Sequence, residues 1–125
     1  RVIRLAPWFL PFLTLTALAS PPIIEIGPSQ DMMNHVGKSV IVTGLVERVV
    51  TLPQGHQRIF FRGDSNFYGF IFLNRRETLG NVDFSSYSGK TIFLAGRVAD
   101  FEGRPQIVIH ELHQIGESPN AVRPR

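Results

Sequence analysis

His110 and His113 flank Glu111 near the end of the chain, a set of side chains able to hold a divalent metal. The spacing argues against it. These residues continue a β-branched run, and on a strand residues three apart point to opposite faces, so the pair cannot chelate unless the strand ends between them, and no metal is expected. Phosphodiester cleavage needs clustered carboxylates with an activating arginine or metal. Asp64, Asp83, Asp100 and Glu102 are scattered over separate turns, and neither a Ser-His-Asp spacing nor a phosphate loop occurs. The chain has no cysteine, which removes thiolate zinc sites, cysteine nucleophiles and disulfides. The reading is a non-enzyme with no catalytic residues and no cofactor. Arg62-Gly63-Asp64-Ser65 contains an adhesion-receptor tripeptide, but Gly-Asp is ordinary turn chemistry and chance accounts for it.

Aromatic residues beside cations are the pattern left with chemical content. If Val40, Val42, Ile71, Ile92 and Leu94 face inward, then Ile59, Phe61, Phe70 and Phe72 take the other face of two neighbouring strands, next to Arg58 and Arg62. Rings next to guanidiniums can stack bases and meet phosphates. Arg75, Arg76 and Arg104 are further candidates for phosphate contact, and Gln106 with His110 would alternate outward on the last strand. The competing expectation is that many of the ten phenylalanines simply fill a core.

The elements that must position these residues follow from 125 residues, 43% hydrophobic, with 11 glycines and 9 prolines: one small, mostly β domain. Ser39 to Leu52 reads as a long first strand around Gly44, followed by a loop at 53–57. Arg58 to Arg62 and Tyr68 to Leu73 are the second and third strands, joined by a turn at 63–66. A polar connector from Asn74 to Lys90 carries one or two helical turns. Thr91 to Phe101, around Gly96, and Gln106 to Leu112 complete five strands. A central glycine in each of the two long strands suits a small closed barrel whose strands coil to serve both halves of the sheet. The expected fold is all-β with small α content, a five-stranded OB-fold Greek-key barrel with a short helical connector between strands three and four.

Residues 1–19 have two arginines, an apolar run from Leu5 to Ala19 and Ala17-Leu18-Ala19 before Ser20, the layout of a cleavable secretory signal peptide. The run is interrupted by Pro7 and Pro11 and is too short for a transmembrane helix. Residues 20–36 read as an extended arm and a short helix, capped by Ser29 or Asp31 and ended at Gly37; 37–117 is the barrel domain and 118–125 a disordered tail. The net charge of +3 and pI near 10.0 resemble a nucleic-acid signal. Yet Arg1, Arg4, Arg123 and Arg125 lie at the ends. From Ser29 to Glu117 nine cations (Lys38, Arg48, Arg58, Arg62, Arg75, Arg76, Lys90, Arg97, Arg104) balance nine anions (Asp31, Glu47, Asp64, Glu77, Asp83, Asp100, Glu102, Glu111, Glu117). A basic patch would therefore have to come from local clustering.

Several segments, in order, resemble single-domain bacterial OB-fold proteins of the nucleic-acid-binding, tRNA-anticodon-binding-like type, which are often exported. These are Asp31 to Lys38, the V-x-V-x-G-x-V run from Val40, Gly63-Asp64, Phe70-Ile71-Phe72, Tyr87-Ser88-Gly89-Lys90, Gly103 to Ile107 and Gln114-Ile115. The resemblance implies a non-enzymatic, monomeric module in the periplasm or outside the cell that binds single-stranded DNA or RNA through the face of strands two and three. Site residues would be Arg58, Phe61, Arg62, Phe70, Phe72, Arg75, Arg76, Arg104 and Gln106. Anticodon-reading relatives carry an aromatic at the start of strand two and a glutamine in strand three. Here Ile59 and Phe70 stand at those places, so anticodon reading is not implied. The alternative is an envelope or secreted module that binds a protein or glycan with the same face.

Overall fold

A computed structural model describes residues 21–75 and 78–124. The expected signal segment 1–19 and Arg76 lie outside the described residues. Among the described residues seven strands form in chain order: β1 (Ile23–Glu25), β2 (Ser39–Thr51), β3 (Gln57–Phe61), β4 (Asp64–Ile71), β5 (Thr91–Phe101), β6 (Arg104–Val108) and β7 (Ile115–Gly116). β2 pairs antiparallel with β5 through residues 39–45 and with β3 through residues 46–51, so one long strand serves both halves of the sheet. β3 continues antiparallel to β4, β4 lies parallel to β6, and β6 returns antiparallel to β5. The order β2-β3-β4-β6-β5 therefore closes on β2. That is the five-stranded OB barrel expected from the sequence. β1 adds parallel to β2, and β7 adds antiparallel to β5.

The two mid-strand glycines sit where strands and arm crowd together. A Cβ at Gly44 would come within 3.1 Å of both Ile26 and Phe61, and one at Gly96 within 2.6 Å of Ile107. Register shifts between Val46 and Arg48, where β2 turns from β5 toward β3. The core holds Val40, Val42, Val46, Ile59, Phe61, Phe67, Ile71, Phe84, Ile92, Leu94, Val98 and Ile107. All five residues assigned inward from sequence are fully buried.

The connector between β4 and β5 contains 3-10 turns at Leu73–Arg75 and Phe84–Tyr87, the second capped by Asp83. Burial, reinforced by Glu117, pushes the Tyr87 phenol above its ordinary pKa. The short helix before β2 is a 3-10 turn at Met32–His35, with the Asp31 side chain accepting from Met33 N. Gly37 follows at positive φ. The β3–β4 turn is tighter than expected: β4 begins at Asp64, because its carboxylate accepts from Asn66 N and Phe67 N and the ladder shifts by a bulge at Phe60/Phe61. Glu102 and Gly103, both at positive φ, make the two-residue β5–β6 turn, and Arg104 and Pro105 already belong to β6.

The expected disorder of 118–125 does not hold for residues 118–124. Pro119–Ala121 form a 3-10 turn, and Val122 is buried against Ile41, Ala95 and Phe93. Arg123 N donates to His113 O, and the His113 Nδ1 lies 3.1 Å from Arg123 O. A buried valine and backbone bonding dock a segment that composition alone marks as unstructured. Gln114 fastens the same region. Its Oε1 accepts from the backbone of His110 and Glu111, and its Nε2 donates to Ala95 O and Val108 O.

Candidate nucleic-acid interface

β3 and β4 are antiparallel, so residues of one parity on each share the outer face. On β3 these are Arg58 and Phe60; on β4 and just after it, Tyr68, Phe70 and Phe72. The rings form a continuous row: Phe60 to Tyr68 5.9 Å, Tyr68 to Phe70 6.2 Å and Phe70 to Phe72 4.8 Å between centroids. His56, in the β2–β3 loop, extends it, with its ring 5.5 Å from Phe70 and 5.4 Å from Phe72. Its Nδ1 accepts a hydrogen bond from Leu73 N, which fixes the ring and leaves Nε2 as the side available for donation.

Guanidiniums lie over one end of this row. Arg48 is 4.6 Å from the Phe60 centroid, Arg58 4.7 Å from Tyr68, and Arg104 4.8 Å from Tyr68 and 5.9 Å from Phe60. They remove Phe60 and Tyr68 almost wholly from solvent although both point outward. Arg104 is also held by Ser65 O and Asn66 O, which ties β6 to the β3–β4 turn. The Tyr68 hydroxyl and the Arg58 Nε are buried with no hydrogen-bond partner among the described residues. Toward the other end the surface opens. An apolar pocket of about 310 Å3 is formed by Phe70 and Phe72, the β2–β3 loop residues Leu52, Gln54 and His56, and Arg58, Phe101 and Gln106. Phe72 and Phe101 are exposed there, at 38% and 47%.

Of the residues named from sequence, Arg58, Phe70, Phe72, Arg104 and Gln106 come together on this face. Phe61 does not: it is fully buried, stacked 5.8 Å from Phe67 in the core, and Ile59 is buried with it. The reason is parity, since Ile59 is adjacent to Arg58 and cannot share its face. Arg62 occupies the turn after β3, its N–H donating to Leu45 O, with Gly63 against Gly27 and Pro28. No contact among the described residues joins its side chain to the row. Arg75 ends the first 3-10 turn of the connector and is likewise outside the pocket lining. Arg48, His56, Phe60, Tyr68 and Phe101 belong to the face and were missed. The parity set by Arg58, Phe70 and Phe72 is the signal that points to Phe60 and Tyr68.

The last strand is shorter than the expected Gln106 to Leu112: β6 ends at Val108, so His110 lies beyond it and His113 sits in the 3-10 turn Leu112–Gln114 rather than on a strand. His113 Nε2 lies 2.7 Å from Glu111 Oε2, while His110 lines a separate pocket with Arg97. Among the described residues no group of three His, Cys, Asp or Glu side chains could hold a metal ion, and no helix is long and apolar enough to cross a membrane.

No protein-family model matches the chain, and no curated protein matches it. Similar solved structures include a Leishmania major Friedlin protein assigned as an aspartyl-tRNA synthetase, at 12% identity over 86% of this chain and 23% of that one, TM-score 0.49. An Entamoeba histolytica asparaginyl-tRNA synthetase in complex with asparaginyl-adenylate gives 18% identity over 80% and 25%, TM-score 0.44. An aspartyl-tRNA synthetase of the same organism gives 13% over 93% and 30%, TM-score 0.46. The chain thus spans about a quarter of the length of these enzymes. At such identities and TM-scores the fold rests on the strand pairing above, and nothing about ligand or activity passes from them to this chain.

Proposed function

We propose that this chain is a non-enzymatic OB-fold module that binds single-stranded nucleic acid across β3, β4 and β6. The observation that carries the reading is the row Phe60–Tyr68–Phe70–Phe72, overlaid at one end by Arg48, Arg58 and Arg104 and opening at the other into a pocket between the β2–β3 loop and Phe101. Rings supply stacking surfaces that tolerate any base, and the guanidiniums supply phosphate contacts. The local cluster also answers the charge problem: a neutral barrel carries three arginines on one face.

The test is fluorescence anisotropy of labelled single-stranded DNA and RNA with the protein at low and moderate salt. Binding that weakens with salt, and weakens again in Phe70→Ala and Phe72→Ala, is expected. Absence of binding to any oligonucleotide at low salt would refute the reading. A protein or glycan ligand is the second reading, favoured by the overall neutrality of residues 29–117 and by the apolar lining of the pocket. It predicts salt-insensitive association on the same face. Export through residues 1–19 to the periplasm or exterior is a further part of the proposal. Fractionation of cells expressing the full chain, with mass determination of the N-terminus, tests it.

A further inference from the structure

The outer surface does not stop at the aromatic row. A second pocket, about 370 Å3, lies across β6 and β5 and is lined by Arg97, Ala99, Val108, His110 and Gln114. Strand register places it beside the first: Val108 pairs directly with Phe70, and Ala99 directly with Gln106, so each neighbour pair has one member in each pocket. Its walls are fixed, because Gln114 is buried and spends its amide on the backbone of Ala95, Val108, His110 and Glu111. Beside the Gln114 amide its polar side chains are Arg97, an exposed cation with no ion pair among the described residues, and the imidazole of His110, with no carboxylate among the lining residues.

We infer that this second pocket is a phosphodiester subsite, with Arg97 as the anion contact and His110 as a hydrogen-bonding wall, which takes the same single strand after it leaves Phe70. The inference rests on the nucleic-acid reading above. Neighbouring strands are about 4.8 Å apart, so from Phe70 on β4 across β6 to Arg97 on β5 is about 10 Å. That distance accommodates roughly two or three nucleotides at 3.4 Å or more per step. The two pockets divide the work: the first stacks bases on rings, and the second, which has no aromatic other than His110, holds backbone.

The experiment uses the full chain and labelled oligothymidylates of increasing length, from about 4 to about 12 nucleotides. Affinity should rise with length until the strand spans both pockets. Arg97→Gln should lower affinity for the long oligomers by about tenfold, the scale of one charge-assisted contact. It should also flatten their log–log salt slope by about 0.7, the value for one phosphate on a single strand. The shortest oligomer that binds should be unaffected. His110→Ala should act in the same direction and more weakly. Arg97 is exposed, so an unchanged thermal melt separates these effects from misfolding. Equal losses at every length, or none at any length, with Phe70→Ala still weakening binding, would overturn this inference alone. No binding by the unsubstituted protein would overturn the parent reading and this one together.

Discussion

The barrel has two apolar outer surfaces, and the chain treats them differently. On the β2–β5 side Ile41, Phe93 and Ala95 are covered by Val122, delivered by the C-terminal segment and held by the His113–Arg123 backbone pair. On the β3–β4 side Phe60 and Tyr68 are overlaid by the guanidiniums of Arg48, Arg58 and Arg104, and Phe70 and Phe72 are left partly open. Covalent chain is a permanent cover. A guanidinium over a ring contributes only about 0.5–1 kcal/mol at an exposed site, so a ligand that offers a phosphate to the arginine and a base to the ring can replace it. On the proposed nucleic-acid reading, the difference separates a surface closed for stability from one kept exchangeable.

The contrast is sharpest in two neighbouring phenylalanines. Phe61→Ala should remove about 3–5 kcal/mol of unfolding free energy, read by denaturant titration, because the ring is stacked on Phe67 inside the core. If the loss were confined to binding, the assignment of Phe61 to the interior would fail. Phe70→Ala should do the reverse, costing about 1–3 kcal/mol of oligonucleotide affinity with a small change in melting temperature. Val122→Ala, on the closed surface, should cost about 1 kcal/mol of stability and leave binding alone. Hydrogen exchange at the Arg123 amide, which bonds to His113 O, should rise with it. The smallest effect is expected from Arg48→Ala: less than about 1 kcal/mol in stability, with a detectable fall in the salt dependence of binding. No fall would mean that this arginine only shields Phe60.

The barrel was legible in the sequence because its signals are local and redundant. Alternating Val40, Val42, Ile92 and Leu94, paired mid-strand glycines, and the Gly37-Lys38 and Gly89-Lys90 pairs ahead of the two long strands all point the same way. The candidate site was legible in part. Arg58, Phe70, Phe72, Arg104 and Gln106 were placed on one surface, but Phe61 was placed there too. That slip came from a run of apolar residues, Ile59-Phe60-Phe61, in which both parities are apolar and hydrophobicity cannot choose between them. Tyr68 was passed over because its burial depends on guanidiniums arriving from β3 and β6, which no local pattern records. The same limit applies to the tail, where docking depends on one valine meeting a surface made by residues far earlier in the chain.

The amide of Gln114 has a consequence for how the molecule comes into being. It binds carbonyls of β5 and β6 and the backbone ahead of itself, and Val122 seals the β2–β5 surface only eight positions later. The barrel strands therefore gain this amide's backbone bonds and the Val122 seal only when residues 110–122 dock, so the far end of the described chain closes what the earlier strands leave open.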